Sequence, residues 1–370
     1  MTDPHTDPYR DPQIARRLVA RIQAASRRPI RLMEVCGTHT VSIFRSGIRS
    51  LLPETVTLLS GPGCPVCVTD QSDIDALIEM AGMAGVTVAT FGDLMRVPGS
   101  RSSLAGKRAD GADVRMVYSA FDALQIARKA PDRRVVFPGI GFETTAPTVA
   151  ATLQAARREG VGNFFVMSAH KRVPPALSAL LARPDVRVDG FILPGHVSVI
   201  IGTEGYREVF EGRRIPGVVA GFEPADILRA ILILVEAVES GTPVLENAYG
   251  RAVASEGNPK ARAVMDEVFE TIDVRWRGLG IIPGSGMGLR DEYRAWDAVT
   301  ALAPDVPPAA PPKGCACGEI LTGTKTPFDC RLFGRVCTPL APVGPCMVST
   351  EGTCAAYYRY GEKSASGAPD

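Results

Sequence analysis

The sequence predicts an α/β protein: two similar parallel-sheet domains followed by a cysteine-rich domain. Two observations predict the sheets. Short apolar runs without polar alternation recur along the first two thirds of the chain, and helical stretches separate them, the pattern of βαβ units covered on both faces. A third observation sets the rest apart. Three of the nine cysteines lie at or before Cys67, and the other six fall between Cys315 and Cys354.

The first element is a helix over 14–25, with Ile14, Leu18, Ile22 and Ala25 at spacings of three and four. The apolar runs after it are 30–35, 56–59, 86–91, 114–118, 135–137, 164–167, 190–193 and 218–220. Helices are expected between them over 72–83, 121–129, 145–158, 175–181 and 224–240. So many strands exceed one small sheet, so the expected domains are 1–130, 131–248 and 249–370. Beyond Tyr249 the pattern turns irregular, with one helix over 259–270, glycine-rich turns around 278–288 and a Pro/Ala spacer over 303–312.

Composition narrows the function classes. The 370 residues carry 41 Lys+Arg against 40 Asp+Glu, a net charge of +1, so no broad field draws nucleic acid or anionic lipid. Residues 1–12 lack the order of a signal peptide, and the longest apolar stretch, 227–238, contains Arg229 and Glu236. A cytoplasmic protein without membrane or nucleic-acid partners is expected. In a reducing compartment, cysteines serve as metal ligands or redox thiols more often than as structural bridges.

Ligands of open parallel sheets bind beyond the carboxyl ends of the strands, and the unusual residues fall there. Cys36 and His39 follow the first run, Cys64 and Cys67 the second, Glu143 the fifth, and His196 the seventh, with His170 closing the sixth. Cys36 stands at a helix start, where backbone N–H groups and the helix dipole lower a thiol pKa. A thiolate there suits a nucleophile or a soft iron ligand; the alternative is a buried strand-end cysteine. Cys64-x-x-Cys67 fits a reducible disulfide or half of a zinc site, and the absence of a second pair nearby favours redox work. Glu143 reads as a general base or a helix-terminal carboxylate, and His170 and His196 as ligands, proton shuttles or structural groups.

The tail around Cys315, Cys317, Cys330, Cys337, Cys346 and Cys354 is poor in apolar residues and needs a staple to fold. Four thiolates on a [4Fe-4S] cluster provide one, and a zinc ribbon is the rival. Six thiols exceed four ligands by two, and a spare pair can form a disulfide beside the cluster. The residues alone do not say which four bind. Lys325 and Arg331 read as solvated tail charges. The stretch 284–288 lacks the strand-before, helix-after context of a dinucleotide fingerprint.

Cys-Gly-Thr-His-Thr at 36–40, Gly-Pro-Gly-Cys-Pro-Val-Cys at 61–67 and Gly-Phe-Glu-Thr-Thr-Ala-Pro at 141–147 together resemble the HypD family of hydrogenase maturation factors. Pro-Gly-His-Val-Ser at 194–198, Glu-Gly-Asn-Pro-Lys at 256–260 and the six-cysteine tail extend the resemblance. It implies a scaffold for the Fe(CN)2CO group of [NiFe]-hydrogenases, paired with a HypC-type chaperone and supplied with cyanide by a HypE-type donor. It further implies that Cys36 ligates the transient iron centre, that Cys64 and Cys67 exchange electrons with it, and that Cys315, Cys330, Cys337 and Cys354 hold a [4Fe-4S] cluster. Cys317 and Cys346 then remain as a redox disulfide. Two rivals stand beside this: a cluster-driven thiol-disulfide oxidoreductase similar to ferredoxin:thioredoxin reductase, and a zinc-stapled binding module.

Overall fold

The computed structural model describes residues 9–361, apart from 308, 310 and 311. The N-terminal helix Pro12–Ala25 is capped by Asp11, whose carboxylate accepts from Gln13 N–H at 2.8 Å. Its Leu18 and Ile22 pack on helix Pro224–Ser240, the long apolar stretch seen in the sequence. That helix is buried on most of its length, as a sheet-covering helix should be.

The strands are β1 (Ile30–Glu34), β2 (Val56–Ser60), β3 (Val86–Thr90), β4 (Asp113–Met116), β5 (Arg134–Gly139), β6 (Phe164–Ser168), β7 (Gly190–Pro194), β8 (Gly217–Ala220) and β9 (Leu245–Asn247). They form two fully parallel sheets, with orders β2-β1-β7-β8-β9 and β4-β3-β5-β6. In both, the first strand pairs with the second on one side and the third on the other. The two units therefore share a winding pattern, each with a switch point beside its first strand, between β1 and β7 and between β3 and β5.

The eight expected strands are present, but they are not shared out as expected. The chain starts one sheet with β1 and β2, builds the whole of the other from β3 to β6, and then returns to the first. A division at 130/131 runs through the four-stranded sheet, where Val86–Val88 pair with Arg134–Val136. Strand runs show where backbone is extended, whereas pairing between segments 48 residues apart leaves no mark in periodicity.

The region beyond Tyr249 also differs from the expectation of irregular chain. After helix Pro259–Val268 comes an antiparallel hairpin, β10 (Phe269–Trp276) and β11 (Gly280–Leu289). Glycines at 280, 284, 286 and 288 hid β11, because they mimic turn signals. Gly286 and Gly288 lie against Val274 and Ile272 of the partner strand, where any Cβ would crowd them. This hairpin and residues 291–302 pack on the α/β units: Lys171 bridges to Gly286, and Val166 to Asp297. The expected third domain thus divides, and only the chain from Cys315 onward forms the cysteine-rich unit. Part of the spacer and the N-terminal residues 1–8 lie outside the described residues.

Candidate functional site

Cys36 sits at the switch point of the five-stranded sheet. Val35 N–H donates to Ile192 O at 3.3 Å, holding the end of β1 beside β7, and Cys36 caps helix Gly37–Arg45. Glu34, the last residue of β1, turns inward: Cys36 N–H donates to its Oε2 at 3.2 Å and Thr40 Oγ1–H to its Oε1 at 2.5 Å. Burial pushes this carboxyl up to about 7. Sequence reasoning missed Glu34, although a carboxylate two residues before a strand-end cysteine was a readable signal.

The Cys64–Cys67 loop lies directly on this turn. Gly37 N–H donates to Gly63 O at 2.9 Å, and Gly63 is so close to the Cys36 backbone that no Cβ fits there. Cys64 and Cys67 form a disulfide across the first turn of helix Pro65–Val68, with their Cα atoms 5.2 Å apart.

One expectation is reversed. The N–H groups of Thr38 and His39 do favour a thiolate at Cys36, but burial dominates and pushes its thiol up to about 12. With 7% of its surface exposed, Cys36 is protonated near neutral pH unless a cation arrives to displace the proton. A helix start lowers a thiol pKa only where water also reaches the sulfur.

His39 is fully buried; its Nε2–H donates to Gly221 O at 2.9 Å, and its Nδ1 has no partner. Burial lowers it to about 4, so it is a neutral imidazole. His196 stacks on Phe222 at 4.0 Å between ring centroids, and Phe222 meets His39 at 4.9 Å. The three rings form one row that runs from buried His39 out to exposed His196. His170 stands elsewhere, buried against Phe269 with Ser168 Oγ 3.1 Å from its Nδ1, a structural placement.

Glu143 is buried in the same core region, where both it and Cys36 act on the buried Tyr206 hydroxyl. Its buried carboxyl accepts from Val173 N–H, at 3.0 Å to Oε1 and 3.3 Å to Oε2, and burial raises it to about 7. It is a helix-terminal carboxylate, as one reading had it, but it serves helix Val173–Leu181 rather than the helix following it in sequence.

In the tail, all six cysteines line one pocket, walled by Ile320, Leu332, Phe333 and Met347. Val343 N–H donates to Cys337 Sγ at 3.3 Å, and Cys317 and Cys346 bring their sulfurs within 2.7 Å. Hydrogen bonds from Cys315 and Cys346, aided by Arg277, hold the Cys317 thiol well below the usual range. Lys325 pairs with Glu319 at 2.6 Å. Among the described residues, no three His, Cys, Asp or Glu side chains converge as for a single metal ion. The thiols surround a pocket instead of a point, the donor set and spacing that suit a polynuclear cluster whose ligands reach different irons.

The sequence placed this tail far from Cys36, and the fold brings the two together. Helix Pro345–Val348, with Cys346, packs on helix Pro65–Val68, with Cys67. Thr38 Oγ1–H donates to Glu351 Oε1 at 2.6 Å, and Gly37 is flush against Glu351. The tip of the β10–β11 hairpin braces the junction. Arg277, only 6% exposed, donates Nε–H to Thr69 O and Nη1–H to Gln71 Oε1, both at 3.1 Å, while Gly278 touches Gly318 beside Cys317. Trp276 stacks on Phe142. Arg277 and Trp276 were also missed, since nothing in the sequence marked the hairpin.

These features define an α/β thiol protein, in which two cysteine pairs and one lone cysteine are strung along a single buried seam. No helix of the described residues is long and apolar enough to cross a membrane. The HypD family model, described as the hydrogenase formation hypA family, matches residues 13–361, and the chain belongs to this family. It is 49% identical over 367 residues to a hydrogenase maturation factor HypD of Rhizobium leguminosarum bv. viciae, covering 96% of this chain and 95% of that one. Similar proteins of the same name occur in Rhodobacter capsulatus, at 46% over 365 residues (95% and 97% covered), and Escherichia coli K12, at 44% over 362 (96% and 97%).

Proposed function

We propose that this member of a hydrogenase-formation family is the cytoplasmic scaffold on which iron receives its cyanide and carbonyl ligands, held between Cys36 and a HypC-type chaperone. In this reading a HypE-type protein supplies the cyanide, and the iron fragment is cargo. One observation carries it: Cys36, the Cys64–Cys67 disulfide and the Cys317/Cys346 pair adjoin one another in sequence-distant segments that meet at a sheet switch point.

Cys36 offers a soft sulfur anchor, and arrival of Fe(II) supplies the positive charge that its buried thiol lacks. Neutral His39, fully buried three residues after Cys36, adds no competing charge beside the sulfur. Cys64 and Cys67 exchange electrons with the bound cargo. Cys315, Cys330, Cys337 and Cys354 would hold a [4Fe-4S] cluster, which supplies one-electron redox chemistry, and Cys317 with Cys346 would relay to helix Pro65–Val68. Glu143 and Arg277 support the framework.

The test is infrared spectroscopy of Cys36→Ala protein purified anaerobically with its chaperone. The cyanide and carbonyl bands should vanish while the visible absorbance of the cluster persists; bands that survive would remove Cys36 from the iron. The disulfide and the Cys317/Cys346 contact also suit a cluster-driven thiol-disulfide oxidoreductase. Infrared bands in the parent protein distinguish the two, because that reading leaves Cys36 and His39 without a role.

A further inference from the structure

Burial gives the cysteine pocket an inner and an outer side. Cys317, Cys337, Cys346 and Cys354 are 5%, 7%, 1% and 8% exposed, and the helices carrying Cys346 and Cys354 pack on helices Pro65–Val68 and Gly37–Arg45. Cys315 and Cys330 are half-buried and border solvent.

The surface around this outer pair has a distinct character. The turn after Cys330 closes through Cys337 N–H to Leu332 O at 2.8 Å, and it turns Arg331, Arg335 and Val336 outward. Gly314 packs on Leu332, which sets exposed Lys313 on the same rim. Across the loop, Arg96 donates to Pro339 O at 3.4 Å, next to Leu340. Leu340 is 97% and Val336 62% exposed, so two apolar side chains stand in water on the same loop that carries Arg331 and Arg335 and receives Arg96. Among the described residues none of these cations forms an ion pair. The adjoining acid, Asp329, is occupied by the Thr326 N–H and hydroxyl, each at 2.8 Å. On a chain of net charge +1 this is a local concentration of positive charge.

We propose that this face seats an acidic protein carrying a single-electron redox group, which delivers electrons on the Cys315/Cys330 side. The inference rests on the redox reading of the cysteines given above. The charges select the partner's sign and speed its approach, while the exposed Leu340 and Val336 supply contact area. The patch is small, which suits the brief encounters typical of electron carriers and not a permanent subunit. The reaction served is reduction of a disulfide. Two carriers each give up one electron, and with two protons from water one S–S bond becomes two thiols.

The probe is an acidic bacterial flavodoxin, mixed anaerobically with the full chain. Titration calorimetry with the oxidised form should show binding that weakens steeply with salt, and Arg331→Glu/Arg335→Glu protein should bind at least tenfold more weakly. With the flavodoxin reduced, thiols should appear at least tenfold more slowly in that variant, while a small-molecule phosphine reduces both proteins at one rate. Leu340→Ser should weaken binding and leave its salt dependence unchanged. Unaltered affinity in the charge-reversed protein would overturn the proposal, as would a dimer of this chain that the reversal dissolves. Charge-dependent binding with no gain of thiols in the parent would overturn electron delivery and, separately, the redox reading on which it rests.

Discussion

Cys317 and Cys346 hold their sulfur atoms 2.7 Å apart in the interior of the cysteine pocket, although 28 residues of chain intervene. Such an approach is nearer than two thiols rest without bonding, so the pair is placed to close. Mild oxidation of the protein should give a peptide cross-linked through these two residues in a digest read by mass spectrometry. Cys317→Ser protein should instead show Cys346 alkylated. A digest in which Cys346 is joined to Cys354 would contradict this pairing.

Gly63 presses on the backbone of Cys36, and a methyl group there has no flexible neighbour to displace. Gly63→Ala should cost about 1–3 kcal/mol, the range for overpacking, with the strain falling on the Cys36 turn. Urea unfolding measures the loss. Gly85→Ala is the control, because its surroundings are open, although its positive φ carries a cost of its own.

Glu143 makes stability fall as pH rises. Its carboxyl goes from about 4.5 in the unfolded chain to about 7 in the fold, so the folded state holds the proton more tightly. The stabilisation is complete below 4.5 and is lost as pH climbs to 7, on the order of 3 kcal/mol at about 1.4 kcal/mol per unit. Glu143→Gln mimics the protonated form. It should match the parent at pH 5 and exceed it at pH 8 in urea midpoint; equal midpoints at both values would refute the assignment.

Arg277 ties the hairpin tip to the chain just after Cys67 through three bonds: its own N–H to Val68 O, and its side chain to Thr69 O and Gln71. Arg277→Met keeps the aliphatic packing and leaves Gln71 Oε1 and Thr69 O short of donors. A loss of about 2–4 kcal/mol is expected from unsatisfied buried groups. Amide hydrogen exchange over 68–73 should quicken, whereas exchange in β7 and β8 should not.

Much of the fold was legible because its signals are local. Strands buried on both faces read as apolar runs, and all eight runs are strands, to within two residues at their ends. The hairpin and β9 were not legible. β11 is built on glycines that pack against Ile272 and Val274, and β9 is three residues at a sheet edge. Their extended form is imposed by neighbours, not by their own preferences.

By itself the sequence determined that this is an α/β protein, which turns carry its cysteines and histidines, and through those motifs its family. Only the tertiary structure decided that four-stranded and five-stranded sheets interleave along the chain, that the tail adjoins the Cys36 turn, that Glu143 holds the start of helix Val173–Leu181, and that the Cys36 thiol is protonated. The division has one physical cause. Motifs and periodicity record what a residue does with neighbours a few positions away, whereas burial and proximity depend on segments hundreds of residues distant, and at Cys36 burial outweighs the local helix start.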